Sequence, residues 1–196
     1  MNLNDTLKDI KKELDAKDRR REEIFSAARE IRRVSTRAIR EIHTDNYDAA
    51  AASLTEAKGL VASLMQSDKD FSFSQEALQE YAEAMITYAL LKKEELPGPK
   101  ELGIPSEAYV LGLADSIGEI RRFILDTLRK GGFEAAEIEY FLDLMDELFH
   151  GIMAFDYPNA VLPIRRKQDI ARMLLEKTRG EVTLALTQAK LEKRMC

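Results

Sequence analysis

Apolar residues recur every three to four positions along most of the chain, the period of a helix that turns one stripe toward a core. This period predicts helices over 3–43, 46–67, 74–94, 106–130, 134–154 and 163–193. The intervals between them carry turn chemistry. Thr44-Asp45-Asn46 supplies an N-cap for the second helix. Ser74 and Ser106 stand where the third and fourth need one, because a short side-chain oxygen accepts from the free N–H groups of a first turn. Gly131-Gly132 offers the left-handed backbone that closes a helix. Pro97, Pro99 and Pro105 mark the longest interior loop, and Asp156-Tyr157-Pro158-Asn159 ends the fifth helix, since proline lacks a donor and restricts its predecessor. No linker, internal repeat or low-complexity tract interrupts the series, so 1–196 reads as a single domain.

Composition adds the fold class. Ala, Leu, Glu, Lys and Arg dominate, with only nine Gly and five Pro, which predicts an all-α antiparallel bundle of six to seven helices. No apolar run reaches the roughly 18 residues of a membrane span. The one cysteine, Cys196, excludes a disulfide framework and a cysteine-rich zinc site, and the polar start has no secretory apolar stretch. A cytoplasmic protein with no membrane partner is expected.

The net charge of −5 argues against a surface that coats nucleic acid everywhere, yet the charge is segregated: residues 17–40 hold nine basic and four acidic side chains. On a helical projection Arg29, Arg33, Arg37 and Arg40 share one face, and Ile24, Ala27, Ile31, Val34 and Ala38 lie opposite. A row of guanidiniums with helical rise can follow a phosphate backbone without reading bases. Arg19, Arg20 and Arg21 extend it. The plainer reading is a solvated helix face.

Carboxylates inside apolar sequence are the second signal. Over 81–91 the only charged residue is Glu83, and Glu76, Glu80 and Glu83 share a stripe; over 108–120 the only charges are Asp115 and Glu119, one turn apart beside Gly112. Several poorly solvated carboxylates together call for a cation or for raised pKa values. All-oxygen ligands without Cys or His suit Mg²⁺ or Mn²⁺, and such ions serve phosphoryl chemistry. The competing reading pairs these carboxylates with arginines such as Arg121 and Arg122. Glu147-x-x-His150 is half of a di-iron motif without its second half, and His43 and His150 read as polar packing residues. The aromatic residues, at helical spacing, read as core. No phosphate-binding glycine loop or nucleophile elbow occurs, and Cys196 has no helix or base to activate it.

Asp18-Arg19-Arg20 onward through Arg29-Glu30-Ile31, Arg37 to His43, Tyr109-Val110-Leu111-Gly112-Leu113-Ala114-Asp115 with Gly118-Glu119, and Lys177-Thr178-Arg179-Gly180 resemble the translin family over nearly the whole chain. The likeness is greatest to its catalytic branch, the translin-associated factor X (Trax) type. It implies helical subunits closed into an octameric barrel around RNA or single-stranded DNA, with Mg²⁺-dependent endoribonuclease sites. Carried over, that site corresponds to Glu80 and Glu83 with Asp115 and Glu119. The loop over 94–105 is shorter than its Trax counterpart, which favours a homo-oligomer.

The expectation is a Mg²⁺- or Mn²⁺-dependent endoribonuclease acting on single-stranded or short duplex RNA. Glu80, Glu83 and Asp115 hold the ion, Glu119 completes the shell or orients water, and Arg19, Arg20, Arg21, Arg29, Arg33, Arg37 and Arg40 carry the strand. Two rivals stand beside it. One is a translin-like RNA or single-stranded DNA scaffold that does not cut. The other is an all-α nucleoside triphosphate pyrophosphohydrolase, whose usual Glu-x-x-Asp pair is here Asp-x-x-x-Glu.

Overall fold

The structure, a computed structural model, describes residues 3–67 and 73–195; Cys196 lies outside the described residues. Seven helices follow in order, with no strand among the described residues: α1 (Leu3–His43), α2 (Tyr47–Ser67), α3 (Gln75–Lys92), α4 (Pro99–Leu102), α5 (Ser106–Lys130), α6 (Ala135–Met153) and α7 (Arg165–Met195). The fold is all-α, and the six periodic stretches become its six long helices. No helix among the described residues is long and apolar enough to cross a membrane.

The turn chemistry explains most of the boundaries, with three corrections. Ser74 holds the cap position of α3, but its side chain makes no capping hydrogen bond. Asn46 Oδ1 accepts from Ala49 N (3.4 Å), and Gly131 and Gly132 close α5 at φ 75° and 68°. Ser106 is the first residue of α5 and not its cap; Pro105, extended at ψ 147°, holds that place. The proline loop contains the extra turn α4, with Pro99 at its start, the Gly98 amide donating to Glu101 Oε2 (2.7 Å), and Gly103 closing it at φ 69°.

In α1, Ile24 is the first buried residue; Ala28, Ile31, Val34, Ala38 and Ile42 continue the stripe, and Leu3, Leu7, Ile10 and Leu14 stand exposed before it. α3 is buried nearly all round through Ala77, Leu78, Tyr81, Ala82, Ala84, Ile86 and Leu90, as a helix at the centre of a bundle must be. It packs against α1 and α5, while α2 packs on α1, and α6 and α7 cover the far side of α5. Each buried Ile or Leu contributes about 1.5–3 kcal/mol over leaving it exposed. Tyr81 and Phe141 are core aromatics as expected, but Phe73, Tyr140 and Tyr157 are exposed.

Gly112 sets the closest approach of α5 to α3. A β-carbon there would meet Ala82 Cβ and the Gln79 carbonyl oxygen at 2.7 Å and the Glu83 amide nitrogen at 2.8 Å. Without a side chain the two backbones touch, and Asp115, one turn on, comes beside Gln79 and Glu83.

Candidate active site

That contact builds the site. Glu83 is half-buried on α3, and no hydrogen bond or ion pair reaches it among the described residues. Burial, then the negative charges of Asp115, Glu119 and Glu80, push its carboxyl up to about 8, against the lowering influence of Lys167. Four carboxylates from two helices therefore feel one another, as the apolar surroundings of each in the sequence implied.

The three flanking carboxylates each have a cationic partner. Asp115 receives Lys167 Nζ on both oxygens, at 2.5 and 2.8 Å, and Gln79 Nε2 at 2.6 Å. Glu80 receives Arg32 Nε at 2.8 Å and the Thr36 hydroxyl at 3.5 Å. Glu119 pairs with His43 Nε2 and lies 3.8 Å from Arg122 Nη1. Arg121, the other arginine near these carboxylates in sequence, turns away to Thr178 (2.6 Å) and Glu181 (2.8 Å). Lys167, Arg32 and His43 were not legible as site residues. They lie on α7 and α1, far from the carboxylates in sequence; Arg32 belonged to the charged face of α1, and His43 read as a polar packing residue, which its burial bears out.

Lys167 also lines an open cleft of about 510 Å³ with Glu83, Asp115, Gly118, Arg166 and Ile170. The start of α7 is tied in place there: Gln168 Nε2 donates to the carbonyls of Ile152 (2.9 Å) and Phe155 (2.8 Å). Arg166, exposed at the rim, has no hydrogen bond or ion pair among the described residues.

The donor set suits a hard divalent ion, because every candidate ligand is a carboxyl group and Glu83, whose raised pKa lets a cation replace its proton, has no hydrogen-bond or ion-pair partner among the described residues. Among the described residues no three Asp, Glu, His or Cys side chains gather into a ready cage. The chemistry fits; for Asp115 the ligand oxygens are already occupied by Lys167.

The arginine row divides. Arg19, Arg29 and Arg40 are exposed with no hydrogen bond or ion pair among the described residues. Arg33 is paired with Glu30 (2.5 Å), and Arg21 with Asp18 and Glu22 (3.1 and 3.0 Å) while lying over the Phe25 ring. Arg20 lines a shallow cleft with Arg19 beside Gln66. Arg37 is engaged between helices, donating to Ser53 Oγ (3.0 Å) and Glu56, so it joins α1 to α2. His150, expected in packing, is exposed on α6 and faces Asp146 at 3.5 Å, and Glu147 is exposed too.

No protein-family model matches the chain. An uncharacterized protein of Methanocaldococcus jannaschii is 36% identical over 184 residues, 91% of this chain and 82% of the relative. Among solved structures, the complex of AfC3PO with duplex RNA superposes with a TM-score of 0.83 at 26% identity, over 93% of this chain and 97% of the other. AfC3PO alone gives 0.82 at 27%, over 93% and 98%. Apo-NeC3PO gives 0.83 at 23%, over 94% and 98%, and speaks for the fold. The architecture is thus the all-helical one of C3PO, the translin/Trax type. The chain belongs to the translin family.

Proposed function

We propose that this chain is an RNA-binding subunit that hydrolyses phosphodiesters with Mg²⁺ or Mn²⁺, acting on single-stranded or short duplex RNA. The observation that carries the reading is Glu83, an unpaired carboxylate set among Asp115, Glu119 and Glu80 beside an open cleft. The likeness to a C3PO that binds duplex RNA supports the substrate class.

Glu80, Glu83 and Asp115 would hold the cation, which when bound would acidify a water and neutralise charge on the phosphate. Glu119, oriented by His43, would accept a proton from that water or complete the shell. Arg166 and Lys167 at the cleft attract the phosphate, and Arg19, Arg29 and Arg40 are the row's free donors for the backbone on either side. Single-stranded DNA offers the same phosphates to that row. A chain of net charge −5 gathers such a patch into a useful field by assembling. Exposed Leu3, Leu7, Ile10 and Leu14, spaced four, three and four apart like a coiled-coil seam, support a homo-oligomer, in this reading an octamer.

The test is an end-labelled short RNA incubated with wild type, Glu83→Gln and Asp115→Asn, in Mg²⁺ or in EDTA. Cleavage in wild type with Mg²⁺ alone is the expected result. Tight binding with no cleavage in any lane selects the second reading, a translin-like scaffold, which the existing side-chain partners of Glu80, Asp115 and Glu119 favour.

A further inference from the structure

We propose that Lys167 and a divalent cation are alternative occupants of the Asp115 carboxylate, so that the chain closes its own metal site until a phosphate draws the lysine away. The inference rests on the nuclease reading above and concerns the regulation of that site.

Lys167 Nζ spans both Asp115 oxygens at 2.5 and 2.8 Å, and Gln79 Nε2 takes a further position on Oδ2 at 2.6 Å. These three contacts use most of the roughly four lone-pair positions of the carboxylate, and a divalent cation on what remains would lie close enough to the ammonium for strong repulsion. One must leave, and the lysine is built to do so. It is a point charge on a flexible four-carbon stem, with no fork to lock it, and its side chain is 23% exposed at the wall of the cleft. Arg32 on Glu80 differs: it also reaches Glu76 at 3.5 Å and bridges α1 to α3, so its release would loosen the bundle.

A phosphate entering the cleft meets Arg166 first and then offers Lys167 a second anion within reach of its stem. With Lys167 turned to the phosphate, Asp115 is freed as a ligand just when the substrate is present. Metal and phosphate therefore help one another to bind, by a reciprocal coupling. An empty site holds little metal.

The test titrates wild type and Lys167→Met with Mn²⁺ alone, by calorimetry. The variant should bind about tenfold more tightly, because no fraction of the site is closed by an internal cation. In wild type, Mg²⁺ should shift the Lys167 Cε–Hε NMR signal, identified by its loss in Lys167→Arg, and this readout stands if the Met variant fails to fold. Equal Mn²⁺ affinity, or Mg²⁺ binding that leaves the Lys167 signal in place, overturns the proposal while Mg²⁺-dependent RNA cleavage keeps the nuclease reading. No Mn²⁺ binding to either protein, with no metal-dependent cleavage, overturns both.

Discussion

A β-carbon on Gly112 of α5 would lie 2.7 Å from the β-carbon of Ala82 on α3, closer than two such atoms can come. Two of its three nearest neighbours are backbone atoms, so they cannot rotate aside. The residue that decides how near two helices lie thus also decides whether Asp115 sits beside Glu83.

Gly112→Ala should therefore destabilise the chain, although alanine is the better helix former by about 0.8–1.0 kcal/mol. Overpacking of this kind costs about 1–3 kcal/mol and outweighs the propensity gain, since α3 must move off α5. Urea unfolding measures the loss. A midpoint equal to or above that of wild type would show that the helices part without cost.

Glu83 makes stability fall as pH rises. Its folded pKa, about 8, lies above the ordinary carboxylate value of 4.5, so the folded chain keeps a proton that the unfolded chain releases. The stabilisation is full below the ordinary value and is lost as pH climbs through that window toward about 8. Glu80 on its own helix and Asp115 and Glu119 on α5 oppose its charge, and Lys167 on α7 alone favours it. In EDTA, Glu83→Gln should match wild type near pH 5 and melt higher near pH 8.5, by about 2–4 °C for each kcal/mol of repulsion removed. Parallel melting curves across that range would contradict the assignment.

The arginines of α1 should separate into two kinds. Reversing Arg29 and Arg40 to Glu should weaken RNA binding and reduce the slope of log affinity against log salt by about one for each phosphate that is no longer neutralised. Arg37→Ala should instead lower thermal stability, because its partners Ser53 and Glu56 belong to α2. Filter binding over a salt series, with melting curves alongside, distinguishes them. An unchanged slope in the Arg29/Arg40 variant would remove α1 from the RNA path.

His43 holds Glu119 with a side chain only 4% exposed. His43→Ala leaves Glu119 to the more distant Arg122 and opens a void, at about 1–3 kcal/mol by the usual cost of leaving a buried polar group without its partner. His43→Gln keeps a donor of similar reach and should recover most of the stability in chemical denaturation. Equal losses in both variants would mean that packing, not the bond to Glu119, is what His43 supplies.

Much of this was readable along the chain. The period of apolar residues located six long helices, because burial of one stripe is a local property that repeats every turn. Glu83, Asp115 and Glu119 stood out because each is a charge inside an otherwise apolar run, and a charge there must be answered by something. The turn at α4 escaped that reading, since four residues are too few to show a period. So did the exposure of His150 and the engagement of Arg37, because one helix face looks alike whether it meets solvent or a neighbour.

What the sequence by itself determined is the six long helices and the isolated carboxylates they carry. The tertiary structure decided which partners answer them: Lys167 from α7, His43 and Arg32 from α1, each brought across tens of residues by helix packing. The reason is physical. Amphipathic period is written in neighbours three and four residues apart, whereas an ion pair depends on where two helices cross, and at the crossing of α3 and α5 that place is set by the side chain Gly112 lacks.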